Sequence, residues 1–237
     1  MPASSIPHGP LSRIGVISGI HSNLPALQIA LQVLKEEKVE NIVLCGDIVG
    51  YGDSPNECCE MIRALNCPVV VGNHDRAVAG LTEYKYSFSS GAVAGIEYTK
   101  RLITAANRAW LKRLPLIYKQ DDLVFVHATP KHPDRWHYLK LGPAHENTMW
   151  EDLYSNFRHF QGEICFIGHS HTPALFLEID PKQIKVITPD KPFYQLGGHR
   201  AIVDVGSVGH PRDQSNIASL VICDREERTV HFKHFFI

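Results

Sequence analysis

Short apolar runs, each ending in a loop with polar or glycine residues, set the rhythm of this chain. "RIGVIS" (Arg13 to Ser18) is the first, and its β-branched apolar character predicts a buried strand. Leu24, Leu27, Leu31 and Leu34 then recur at helical spacing. Asn23 precedes them as a predicted N-cap, and Pro25 falls in the first turn, where a missing N–H is tolerated. "NIVLC" (Asn41 to Cys45) predicts a second buried strand. "SPNE" (Ser54 to Glu57) places serine, proline and glutamate in capping-box order and predicts a second helix. "CPVVV" (Cys67 to Val71) predicts a third strand. The order β-α-β-α-β is that of a parallel sheet with crossover helices.

From Ser89 to Leu114 the pattern is mainly helical, and Pro115 stops it. The period then shortens. "LVFVHA", "ICFIGHSH", "ALFLEI", "IKVIT", "FYQL", "AIVDVG", "SLVICD" and "TVHFKHF" are strand-length runs parted by turn signals. The stretch from Pro130 to Gly162 is charged and aromatic, with a helical part near Glu146 to Phe160. No internal repeat or low-complexity segment interrupts the chain. The expected architecture is α/β: two packed mixed sheets with helices outside, in one domain over residues 13–237 behind a flexible tail at 1–12.

Composition narrows the function classes. The 237 residues are 44% hydrophobic, enough for a sizeable core. The formal net charge of -1 offers no global field for nucleic acid or an anionic membrane. No apolar run approaches the roughly 20 residues that span a bilayer. "MPASSIPHGPLSR" lacks the basic and apolar regions of a signal peptide. The six cysteines (Cys45, Cys58, Cys59, Cys67, Cys165 and Cys223) form no C-x-x-C pair and sit mostly in apolar stretches. Buried, reduced thiols in a cytoplasmic protein are the expectation.

Five predicted strands deliver ligand-type side chains at their ends. They lead to His21 in "SGIHSN", Asp47 in "CGDIVGYG", Asn73 and His74 in "VGNHD", His127 in "LVFVHA", and His169 and His171 in "GHSHTP". The C-terminal ends of strands in an open parallel sheet face one crevice, so residues far apart in sequence can converge there. Each loop alone is weak, since a lone histidine or a "GD" is usually an ordinary turn. "GNHD" also reads as a helix N-cap, with Asn73 or Asp75 as the cap. Together the side chains form a nitrogen-and-oxygen donor set suited to manganese, iron, zinc, nickel or cobalt, not to a thiolate site.

"GDIVGYG", "GNHD", "VHATP" and "GHSHTP", with "SGIHSNLPAL" before them and "VDVGSVGHPRD" after, closely resemble the motifs of calcineurin-like metallophosphoesterases. The resemblance runs from about Ile14 to Asp213. It implies a four-layer α/β/β/α sandwich and hydrolysis of a phosphomonoester or phosphodiester by a hydroxide shared between two divalent metals. It further implies that Asp47 bridges the metals. His21 and His171 complete the first site, and Asn73, His127 and His169 the second. His74 is then the catalytic histidine, with Asp75 or Asp53 as candidates to orient it. Some relatives carry an acid where this chain has Gly50.

One departure stands out. The family has an aspartate two residues before its first histidine, and this chain has Gly19. The first site is therefore expected to be under-occupied and activity reduced, with Gly19→Asp expected to need no backbone conformation that aspartate cannot adopt. Arg76, Asn23 and His210 are substrate-contact candidates, with Tyr51 and Arg212 behind them. Residues 130–162, carrying Arg135, Trp136, His137, Tyr138 and Lys140, are a candidate partial lid. The rival reading is a catalytically impaired binding or scaffolding protein on the same fold. A dinucleotide site is disfavoured because no G-x-G-x-x-G follows the first strand.

Overall fold

The computed structural model describes residues 12–139, 146–212 and 216–237. Residues 1–11 of the expected tail, Lys140 and the rest of 140–145 in the expected lid, and Asp213 at the end of the last motif lie outside the described residues. The first sheet holds β1 (Arg13–Ile17), β2 (Asn41–Cys45), β3 (Val69–Val70), β9 (Phe193–Gln195), β11 (Ile217–Asp224) and β12 (Thr229–Phe236), in the order β3-β2-β1-β11-β12-β9. The second holds β4 (Ile117–Gln120), β5 (Leu123–Val126), β6 (Ile164–Ile167), β7 (Ala174–Asp180), β8 (Gln183–Ile187) and β10 (Arg200–Asp204), in the order β4-β5-β6-β10-β7-β8. β1, β2 and β3 run parallel, as do β5, β6 and β10; the remaining pairs are antiparallel.

The two-residue period of the strands makes the layers. Val16, Val43 and Cys45 of the first sheet meet Phe125, Phe166 and Val203 of the second in a core between the sheets. Their neighbours point the other way. Ile17 and Leu44 pack on α1 (Leu24–Glu36) and α2 (Pro55–Leu65), through Leu27, Leu34, Cys58 and Ile62. Val124, Cys165 and Ile202 pack on α6 (Glu146–Arg158), through Leu153 and Phe157. Helix, sheet, sheet and helix thus follow in order, the sandwich expected. All six cysteines are free, and no helix among the described residues is long and apolar enough to cross a membrane.

Local expectations hold unevenly. Asn23 caps α1, its Oδ1 accepting the Ala26 N–H at 3.1 Å. α2 begins after Ser54, but the capping box does not form; Ser54 Oγ instead donates to Asp53 Oδ1 at 2.9 Å. The helical stretch after Ser89 is two helices, α4 (Ser90–Leu102) and α5 (Ala105–Leu111), with Thr104 capping the second. Neither Asn73 nor Asp75 is an N-cap. Gly72 takes that place at α3 (Asn73–Ala79), and Asp75 accepts its N–H at 2.9 Å. β4 has no counterpart in the sequence expectation, since its half-exposed "IYKQ" carries no apolar run.

Candidate metal centre

The parallel strands bring their C-terminal loops to one end of the sandwich. Backbone bonds join these loops: His21 N–H donates to Asp47 O at 3.0 Å, and Ser22 N–H to Ile48 O at 2.8 Å. His21, Ser22, Asp47, Tyr51 and His171 all have positive φ. Such a conformation costs a non-glycine residue about 1–3 kcal/mol, and it clusters at sites where the surroundings over-determine it. Asp75 supplies part of that determination. Its buried carboxylate accepts the N–H groups of Asp47, Ile48 and Val49 as well as that of Gly72. Burial, with Asp47 close by, raises its pKa to about 7. Gly72 is needed for close approach, because a Cβ there would stand 2.1 Å from Asp47 Oδ1.

Six predicted ligands converge, and all are at least nine-tenths buried. Asp47 Oδ2 lies 3.5 Å from His21 Nε2 and 3.3 Å from His127 Nε2. His21 Nε2 lies 3.0 Å from His171 Nε2. His127 Nε2 lies 3.0 Å from Asn73 Oδ1 and 3.1 Å from His169 Nδ1. The other ring nitrogens fix the tautomers. Nδ1–H of His21 donates to Val49 O at 3.3 Å, that of His171 to His210 O at 2.5 Å, and that of His127 to Cys45 O at 2.7 Å. In these tautomers the Nε2 lone pairs of His21 and His171 face each other, and that of His127 faces the oxygens of Asn73 and Asp47. The two acceptors of the His21–His171 pair, facing each other with no donor between them, call for a cation, and imidazoles anchored through their other nitrogen are usual among metal ligands.

The electrostatics agree. Burial holds His21 and His169 well below the usual histidine range and lowers His171 to about 3, so these imidazoles are neutral. For His127 burial acts in the same direction, but the Asp47 carboxylate overcomes it and carries the group upward. Burial works to raise Asp47, yet the surrounding histidines, His127 foremost, hold it well below the carboxylate range. Two groups sharing Asp47 could hold a metal ion: His21, Asp47 and His171, and Asp47, His127 and His169. Asn73 borders the second. A metal fits both.

A model of the calcineurin-like phosphoesterase superfamily domain matches residues 13–228. This chain belongs to the calcineurin-like phosphoesterase superfamily. It is 39% identical over 220 residues to the uncharacterized protein MJ0912 of Methanocaldococcus jannaschii, covering 91% of this chain and 84% of the relative. Among solved structures it is similar to a metallophosphoesterase from Sphaerobacter thermophilus, at 32% identity and a TM-score of 0.78 over 94% of this chain and 87% of that one. The hypothetical protein PH1004 from Pyrococcus horikoshii shares the fold at 21% identity and a TM-score of 0.71, over 94% and 88% of the two chains.

Within this phosphoesterase, the other candidate residues divide. His74 sits edge-on to His21 with ring centroids 4.8 Å apart, and burial lowers its pKa to about 4. Its backbone N–H donates to Asp47 Oδ1 at 2.9 Å, while its Nδ1 has no hydrogen-bond partner. Neither acid named for it orients it: Asp75 serves the backbone of the Asp47 loop, and Asp53 is exposed beside Ser54. A Cβ at Gly50 would stand 2.4 Å from His74 Nδ1, so an acid at that position would occupy the space facing this nitrogen.

Arg76 turns its Nε to Thr82 Oγ1 at 3.3 Å, on the loop after α3. The guanidinium that acts on His74, His169, His171 and His210 is that of Arg212. Arg212 also donates to Tyr138 OH at 3.2 Å. The Asn23 amide is engaged at both ends, by Ala26 N–H and by Gly209 O at 3.0 Å. His210 stacks on Tyr51 with centroids 4.1 Å apart. The sequence reading missed Asp204, which accepts from Ser170 Oγ at 2.7 Å between the two histidines of "GHSH". A carboxylate inside the apolar run "AIVDVG" was the available signal, because a buried acid needs a partner.

The expectation for Gly19 is corrected in one respect. Its φ is +60°, and a Cβ would lie 2.7 Å from Ser207 Oγ and 3.1 Å from Ser207 Cβ. Ser207 is itself buried and tied, donating to Gly19 O and accepting from His210 N–H. Aspartate therefore does not enter freely. Gly19→Asp is expected to lower stability by about 1–3 kcal/mol, read as a fall in the urea midpoint. Tighter metal uptake is expected only when Ser207→Ala clears the contact. An unchanged midpoint in the single variant would show that the loop yields and the correction is wrong.

Proposed function

We propose that this phosphoesterase hydrolyses a phosphomonoester or phosphodiester at a centre of two divalent transition metals, manganese, iron, zinc, nickel or cobalt. Asp47 bridges the metals, His21 and His171 complete the first site, and Asn73, His127 and His169 the second. The observation that carries this is the convergence of nitrogen and oxygen ligand atoms on both sides of Asp47 Oδ2, with the acceptor nitrogens of neutral His21 and His171 facing each other at 3.0 Å. Such metals supply neutralisation of the phosphoryl oxygens and activation of water near neutral pH. The protein's own part is to hold the donors rigid and dry, through Asp75 beneath the Asp47 loop and Asp204 beneath the "GHSH" loop. His74 is a hydrogen-bond donor or proton donor toward the ester. Arg76 remains a candidate to contact the phosphate, and Arg212, whose charge bears on His74, His169 and His171, is a second one. The chain is read as one domain over 13–237, with part of 130–162 as a partial lid. Tyr138 stacks on His169 at 4.2 Å and Trp136 stands 6.0 Å from His127, which supports that reading. Six free cysteines suit a reducing cytoplasm.

Gly19 leaves the first site with neither a second carboxylate nor its charge, and we read that site as the weaker one. The same observation favours a second reading, a metal-binding scaffold with little turnover. One assay separates them. The protein, stripped and reloaded with each metal in turn, is expected to cleave bis-p-nitrophenyl phosphate or p-nitrophenyl phosphate and to stop when chelator is added. Tight metal uptake without hydrolysis of either ester would overturn the enzyme reading and leave the scaffold.

A further inference from the structure

A cleft of about 780 Å³ opens beside His21 and runs away from the ligand cluster. Its volume lies within the roughly 300–1,000 Å³ of small-molecule sites. His21 and Ser22 form its inner end, Tyr51 and His210 a stacked aromatic pair on its wall, and Tyr98 and Asp53 its outer part. Ser22 is fully buried at that end. Tyr98 is 38% exposed, although it sits on α4 among residues of the core. Arg101 stands over its ring, 5.8 Å from the centroid, without lining the cleft.

The lining decides what can enter. Aromatic faces offer stacking to a planar ring, which is sequence-tolerant because every such ring has a π-face. No lysine or arginine lines the cleft, and Asp53 adds an exposed carboxylate. A neutral ring bearing hydrogen-bond donors meets both a stacking surface and an acceptor.

We infer that this cleft is the specificity site for the organic part of the ester, and that the substrate carries a planar, uncharged ring of nucleobase type. The inference rests on the proposed phosphoesterase reading, since the phosphoryl group must sit at the metal centre for its substituent to reach Tyr98. Tyr98 acts here as a binding residue only, remote from the reacting atoms.

The test is calorimetric titration of manganese-loaded His74→Ala protein, whose slow turnover preserves the ligands. Adenosine 5′-monophosphate, ribose 5-phosphate and inorganic phosphate are the probes. The ring-bearing ester is expected to bind about ten-fold more tightly or better than ribose 5-phosphate, the scale of one base–aromatic stack. Tyr98→Ala added to this protein is expected to remove most of that difference and to leave ribose 5-phosphate and inorganic phosphate unchanged. Equal affinities for the two esters, or a ratio that survives Tyr98→Ala, would overturn the cleft assignment while leaving the metal centre intact. Failure of all three probes to bind, with no hydrolysis by the unsubstituted protein, overturns the phosphoesterase reading and the cleft assignment with it.

Discussion

Asp47→Asn is expected to empty both metal positions. The carboxamide keeps the shape of the side chain, can accept the His74 N–H, and tolerates the positive φ at this position. It loses the one negative charge that both groups of donors share. Two divalent cations side by side repel, and the shared carboxylate is the protein's only anionic ligand in either group. Loss of an outer partner of a metal ligand already lowers affinity or activity about 10–100-fold. Loss of this inner one is expected to exceed that at both sites, with hydrolysis falling to background. Elemental analysis after dialysis against limiting metal reads the effect directly. Because the carboxylate is paired with His127 at 3.3 Å in the metal-free protein, the metal-free variant is expected to melt somewhat lower than the metal-free parent. Two metals retained per chain would sink the bridging assignment.

His74→Ala is expected to separate turnover from metal binding. No distance places a nitrogen of His74 in the acceptor cluster, and its Nδ1 has no hydrogen-bond partner. A side chain that donates a proton or a hydrogen bond to the reacting ester contributes about 10²–10⁴-fold. A fall in kcat of that order is expected, with metal content and its affinity nearly unchanged. Parallel losses of metal and activity would make His74 a ligand. The backbone N–H of residue 74 still holds Asp47 Oδ1 in the alanine variant, so the bridging carboxylate stays in place.

Much of this was legible before any coordinates. The apolar runs Ile14–Ile17, Ile42–Cys45, Leu123–Val126 and Ile164–Ile167 end where the ligands begin, since strand period and turn-forming residues are local properties. Two assignments failed at the level of packing. The Ser54 capping box did not close; the hydroxyl is turned to the adjacent Asp53 and not to the helix N–H groups. β4 went unseen because an edge strand with one half-exposed face needs no apolar run.

Residue type and order in the chain thus determined the donor set, the strands that carry it and the family to which the phosphoesterase belongs. Tertiary structure alone decided which donor faces which. His21 meets His171 across 150 positions of sequence, and His127 meets Asn73 across 54. It also decided that Asp75 serves the backbone of the Asp47 loop, that the charge of Arg212 bears on the histidines, and that Ser207 stands in the path of a side chain at Gly19. The physical reason is one of range. Periodicity, capping and turn chemistry act between residues a few positions apart, whereas a side chain's partners are set by whichever distant strand end the two sheets bring beside it.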